Sequence, residues 1–142
     1  MTPATKKHLF SGLFFSWLTA LLVLTYYPDL PDIKVRIRDE WFRTDYLGHA
    51  GFYAVLMLLF LLWHKFRRGA LGRVFLLWAT LGGIAFSALT EATQYFVPGR
   101  SVNPFDLMYN CLGIIAGSFV YLLLYNRTWI LTPKSPKGDL FD

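Results

Sequence analysis

Residues 90–117 run T-E-A-T-Q-Y-F-V-P-G-R-S-V-N-P-F-D-L-M-Y-N-C-L-G-I-I-A-G, from Thr90 to Gly117. Glu91, Gln94, Arg100, Asp106 and Asn110 crowd into the first three-quarters of this stretch, and strongly apolar sequence lies on both sides of it. Two prolines and a glycine, Pro98, Gly99 and Pro104, mark the middle as a turn. The pattern predicts two membrane-crossing helices joined by a polar turn. Ionisable groups at a membrane boundary are costly, so a cluster of them marks a functional site.

The rest of the chain fits that reading. It has 142 residues, 55% of them hydrophobic, and a mean hydropathy of +0.40, too apolar for a soluble domain of this length. The apolar residues fall into four blocks at about 9–27, 46–63, 74–90 and 107–125, none containing Lys or Arg. Each is close to the ~20 residues that a helix needs to cross hydrocarbon. The expected fold is all-α, an integral membrane bundle of four transmembrane helices. Residues 1–132 form the transmembrane domain, and 133–142 form a flexible cytoplasmic tail.

The net charge of +5 is distributed for a membrane and not for nucleic acid. Lys6, Lys7, Lys65, Arg67, Arg68, Arg73, Arg127, Lys134 and Lys137 fall on one side of a four-helix topology, and Lys34, Arg36, Arg38, Arg43 and Arg100 on the other. That bias places both termini in the cytoplasm. Lys6 and Lys7 before the first block resemble a signal-peptide n-region, but no small-residue cleavage site follows, so the block is expected to be a retained helix. The single cysteine, Cys111, forms no metal motif and reads as a small core residue.

Several local readings follow. Gly12, Ser16 and Thr19 form a stripe of small residues expected to pack helix 1. Tyr26 and Tyr27 suit the outer aromatic belt, and Tyr121, Tyr125 and Trp129 the inner one. Ile33–Arg38 alternates apolar and basic residues, as a short strand or an extended segment on the headgroups would. Asp39–Arg43 reads as an interfacial lead-in to helix 2, anchored by Trp41 and Phe42. His8 and His64 read as interfacial. Gly82-Gly83 permits a close helix contact or a bend, and Gly113 and Gly117 form a close-packing G-x-x-x-G.

Helical periodicity gathers the polar residues. Asp45, His49 and Tyr53 share one face of helix 2; Gly83, Ser87, Glu91 and Gln94 share one face of helix 3; Asp106, Asn110, Gly113 and Gly117 share one face of helix 4. Each face carries its polar groups at the end nearest the outside. The expectation is a polar pocket opening to the outer leaflet. His49 is its proton-transfer group, oriented by Asp45 with Glu91 opposite. Arg100 hangs over the pocket to hold an anion, for which its planar fork is suited, while Gln94, Asp106, Asn110 and Tyr53 bind substrate. Structural readings stand beside these: Glu91 paired with Arg100 as a bundle cap, Asp106 as a helix N-terminal charge, Asn110 as an interhelical bond, Tyr53 as packing. No cofactor is expected. A divalent metal on Asp45 and His49 with Glu91 or Asp106 is the alternative.

The motifs D-x-x-x-H-x-x-x-Y (Asp45, His49, Tyr53), E-x-x-Q-x-F-x-P-x-R (Glu91, Gln94, Phe96, Pro98, Arg100) and D-x-x-x-N-x-x-G-x-x-x-G (Asp106, Asn110, Gly113, Gly117) together resemble the VanZ-like family of small bacterial membrane proteins. Family members often carry a lysine after the first aspartate, where this chain has Tyr46. The resemblance implies a four-helix protein of the bacterial inner membrane. The family's namesake is linked to low-level resistance to lipidated glycopeptides such as teicoplanin. The functional expectation is a membrane protein that binds or modifies a cell-envelope component, either a lipid headgroup or an anionic or lipid-linked cell-wall intermediate. Its partners are then membrane lipids and not nucleic acid. The rival classes are a non-catalytic structural or assembly protein and a small transporter that works as a homo-oligomer.

Overall fold

The computed structural model describes residues 2–28, 34–37, 40–43, 45–69 and 71–125; for 34–37, 40–43 and 125 it describes the backbone alone. Four long helices carry the fold: α1 (Pro3–Tyr26), α2 (Asp45–Arg68), α3 (Arg73–Thr93) and α4 (Pro104–Tyr125). All four are long and apolar enough to cross a membrane. They are longer than the apolar blocks because polar residues at their ends continue the helix. A 3-10 turn, Gln94–Phe96, extends α3.

Local chemistry sets the ends. Thr2 caps α1: its hydroxyl accepts from Thr5 N–H at 3.2 Å, and Pro3 follows at the first helical position. Gly69, at φ 95°, ends α2 in the left-handed conformation, and its N–H reaches back to the Lys65 carbonyl at 2.9 Å. Between α3 and α4, Pro98 precedes Gly99 at φ 76°, and Arg100 N–H closes the turn on the Val97 carbonyl at 3.1 Å. A type II turn needs that pairing.

Between α1 and α2 lies a hairpin. β1 (Lys34–Ile37) pairs antiparallel with β2 (Glu40–Arg43), Lys34 opposite Arg43 and Ile37 opposite Glu40. The basic-apolar alternation of the first arm is thus a strand, and its partner strand takes the place of the expected interfacial lead-in. The anchoring roles of Trp41 and Phe42 concern side chains outside the described set. Trp129 and the 133–142 tail lie outside the described residues.

α2 and α4 form the central pair, with α1 packed on α2 and α3 on α4. Gly113 and Gly117 bring α4 against Ala50 and Ala54 of α2. α1 packs through Phe14, Trp17 and Leu21; Trp17 Nε1 donates to the Phe52 carbonyl at 3.0 Å, and the two rings stack. The small-residue stripe on α1 therefore does not pack: Gly12, Ser16 and Thr19 are exposed. Aromatic side chains supply the contact area that the small stripe lacks. Tyr121 is buried in the bundle and not part of a belt. At the basic end, Arg67 lies over the Trp63 ring and Lys6 over Phe66, and His64 stacks on Phe75 with ring centroids 4.0 Å apart.

Burial differs from that of a soluble bundle. Many large apolar residues such as Leu77, Leu81, Leu89, Phe119 and Leu124 are exposed, while Ser87, Thr90, Glu91, Gln94, Asp106, Asn110 and Ser118 are buried beside an apolar core that includes Leu56, Met57, Leu61 and Ile114. A bilayer as apolar as leucine offers no reward for hiding leucine, so polar groups that need partners share the interior.

Candidate functional site

The site lies where the ends of α2, α3 and α4 meet, at the end of the bundle opposite the α2–α3 connection. α3 supplies Glu91 and the 3-10 turn that extends it supplies Gln94, with relative exposures of 3% and 4%. α4 supplies Asp106 and Asn110, also buried. α2 supplies His49, whose side chain is 25% exposed. His49 is thus the member that an incoming molecule meets first.

The geometry is specific. His49 Nδ1 lies 3.1 Å from Asn110 Oδ1. An amide oxygen accepts only, so in this arrangement Nδ1 carries the proton. Nε2 then faces Asp106 Oδ2 at 3.8 Å, within ion-pair range but too long for a hydrogen bond. The histidine is oriented from α4 and not by Asp45, which is not among its partners. Asp45 Oδ1 accepts from Tyr46 N–H.

The residue that joins the carboxylates is Asn103. Its backbone N–H donates to Glu91 Oε1 at 2.7 Å, and its side-chain amide donates to Asp106 Oδ1 at 3.0 Å. Its own oxygen accepts from Phe105 N–H at 3.0 Å, capping α4. The sequence signal was N-P-x-D, a capping residue, a proline at the first helical position and an acid at the third. Thr90 was also missed: its hydroxyl pairs with Tyr53 OH at 2.6 Å and donates to the Ser87 carbonyl.

Arg100 is placed differently from the expectation. Its Nε donates to the Tyr27 carbonyl at 3.1 Å and one terminal nitrogen to the Leu24 carbonyl at 3.0 Å. These are among the carbonyls that a helix C-terminus leaves without intrahelical partners. Arg100 thereby fastens α1 to the α3–α4 turn, assisted by Tyr26 OH against Thr93 Oγ1 at 2.7 Å. It forms no ion pair with Glu91, so the capping-pair reading of these two does not hold.

Among the described residues, the buried side-chain polar atoms without a hydrogen-bond partner are Trp63 Nε1 and His64 Nδ1, at the opposite end of the bundle. Glu91 and Gln94 are nearly buried residues, yet Glu91 Oε2 and the Gln94 amide bond no described residue and keep some contact with the surface, so an incoming molecule can reach them. For the metal alternative, the described residues hold no group of three His, Cys, Asp or Glu side chains placed to share an ion. Tyr46 stacks on Tyr109 with ring centroids 5.0 Å apart and planes 3° from parallel; it joins α2 to α4 at the rim. Cys111 is half-buried and free beside Ser87.

The VanZ/LLP1 family profile matches residues 14–125, well over half of the chain. The chain belongs to the VanZ/LLP1 family. Among curated proteins and among solved structures, none matches it. With its four apolar helices, this VanZ/LLP1 chain is a multi-pass membrane protein, and the three motifs that carried the resemblance converge at one end of the bundle.

Proposed function

We propose that this VanZ/LLP1 protein uses its polar pocket, at the outer face of the bacterial inner membrane, to bind and modify the polar part of a cell-envelope lipid or lipid-linked intermediate. The observation that carries the reading is the pair of nearly buried residues Glu91 and Gln94, whose Oε2 and side-chain amide bond no described residue and stay reachable from the surface, beside a partly exposed histidine. A carboxylate oxygen recognises donors. The group taken up is therefore a hydroxyl, an amide N–H or an ammonium. Arg100 acts by fixing α1 over the site and not by holding an anion.

His49 is the proton-transfer group. With Nδ1–H held by Asn110, Nε2 has the free lone pair, and Asp106 lies close enough to stabilise the imidazolium formed when it takes a proton. Asn110 plays the orienting role that keeps one tautomer. An envelope change made at this level also alters access for lipidated glycopeptides, which supports testing glycopeptide susceptibility in a deletion strain.

The experiment is native mass spectrometry of protein released from membranes, with wild type beside Glu91→Gln and His49→Gln. Wild type should retain a lipid that Glu91→Gln loses at unchanged thermal stability, and His49→Gln should retain the lipid unmodified. A bare wild type, with a Glu91→Gln variant that merely unfolds, sinks the reading and leaves the cluster structural.

A further inference from the structure

Below the polar site the bundle is open. α1 lies on α2 and α3 on α4, and between α1 and α3 runs a cleft of 440 Å³. Phe14 and Leu18 form one wall, Ala79 and Phe86 the other, with Met57 and Phe60 at the back. No charged or amide side chain lines it.

We propose that this cleft is a lateral slot for one acyl chain of a membrane lipid, an inference that rests on the proposed function and adds how the substrate is held. Three observations commit the slot to a chain. The first is depth: on α3 the lining runs from Phe75 to Phe86, about 16 Å of helix rise, so the slot lies wholly within the hydrocarbon layer. The second is width: spreading 440 Å³ over that length leaves about 27 Å² for the centres of water-sized atoms, so wall to wall the slot is roughly 9 Å across, where a helix with its side chains needs about 10–12 Å. A chain about 4 Å thick at carbon contact distance fits, and a helix from a second copy does not. The third is continuity: the slot ends at Tyr53, whose hydroxyl bonds Thr90, the residue before Glu91. A chain in the slot brings its headgroup to the level of Glu91 and Gln94.

The glycines keep the slot empty of protein. A β-carbon at Gly82 meets nothing within 4 Å, and one at Gly83 meets only the side chains of Ile114 and Met57. At the outer end, the Tyr26–Thr93 bond and Arg100 tie α1 to α3 and its following turn, so entry is sideways from the bilayer.

The test is photolabelling in vesicles of phosphatidylethanolamine and phosphatidylglycerol, doped with a phosphatidylethanolamine bearing a diazirine at mid-chain. Label should collect on Ala79 and Phe86 several-fold above the outward-facing Leu81 and Leu89. Gly82→Leu and Ala79→Phe, both filling open space, should each remove that excess at unchanged thermal stability. Equal labelling of both faces, or an excess that survives both variants, overturns the slot. A wild-type dimer that Gly82→Leu converts to a monomer also overturns it, since a second copy would then be the occupant. Glu91→Gln separates the two proposals. If the slot still labels in that variant but headgroup preference in wild type is absent, the slot stands and the pocket reading falls. If the slot never labels while lipid retention depends on Glu91, the pocket reading stands and the slot falls.

Discussion

Gly113 of α4 stands directly against the backbone of Ala50 on α2: a β-carbon on Gly113 would lie 2.9 Å from the Ala50 carbonyl carbon and 3.0 Å from its Cα. One turn further on, a β-carbon on Gly117 would lie 3.1 Å from the Ala54 carbonyl carbon and 3.0 Å from Met57 Cβ. Backbone meets backbone at both positions. This contact holds α2 and α4 close enough for His49 to reach Asn110 and Asp106.

Gly113→Ala should therefore destabilise the protein by about 1–3 kcal/mol or more, the cost of overpacking a site that cannot yield. Gly117→Ala should do much the same. Gly12→Ala is the matched control, because a β-carbon there meets nothing; it should be neutral or stabilise by up to about 1 kcal/mol through helix propensity. Thermal unfolding in detergent reads all three. Equal tolerance at positions 12 and 113 would refute the packing account.

Asn103→Ala should cost about 1–3 kcal/mol, since it removes a helix cap and strips Asp106 of a donor. Asn103→Asp keeps the capping oxygen and sets a second carboxylate beside Asp106. It should retain more of the stability than Asn103→Ala while abolishing lipid retention. Unfolding temperature and co-purified lipid, measured on the same samples, separate the two effects.

Arg100→Ala should lower stability by about 1.5–3 kcal/mol through loss of charge-assisted bonds to the end of α1. The fraction that remains folded should keep its lipid. Loss of lipid from a fully stable Arg100→Ala protein would restore Arg100 as an anion holder.

Tyr53→Phe and Thr90→Val should be coupled through their 2.6 Å hydrogen bond. A double-mutant cycle should give about 0.6 kcal/mol, with an upper bound of ~1.7, as for other side-chain hydrogen bonds between helices inside membranes. Additive losses would mean that each hydroxyl has another partner of equal worth.

Much of this arrangement is legible in the chain. The four spans follow from apolar block length alone. Glu91 and Gln94 share a buried face because residues three apart on a helix do, and the same rule aligns Asp106, Asn110, Gly113 and Gly117. Readings that depended on a residue's neighbours in other helices fared differently. Gly12, Ser16 and Thr19 look like a packing stripe yet face outward. Tyr121 looks like a belt residue yet is buried. Periodicity says which residues share a face, not which face turns inward, when nearly every face is apolar.

By itself, then, the sequence determined the number of spans, the turn at Pro98–Gly99 and the polar end of the bundle, because hydrophobic length, proline and glycine geometry and helical period act locally. The tertiary structure alone decided that His49 is oriented by Asn110 and faces Asp106, that Asn103 clasps Glu91 to Asp106, that Arg100 belongs to α1, and that a cleft lies between α1 and α3. Each of these depends on how one helix is rotated and seated against another. In a bilayer that seating is set by close contacts such as Gly113 on Ala50, since hydrophobicity gives one apolar face no preference over the next.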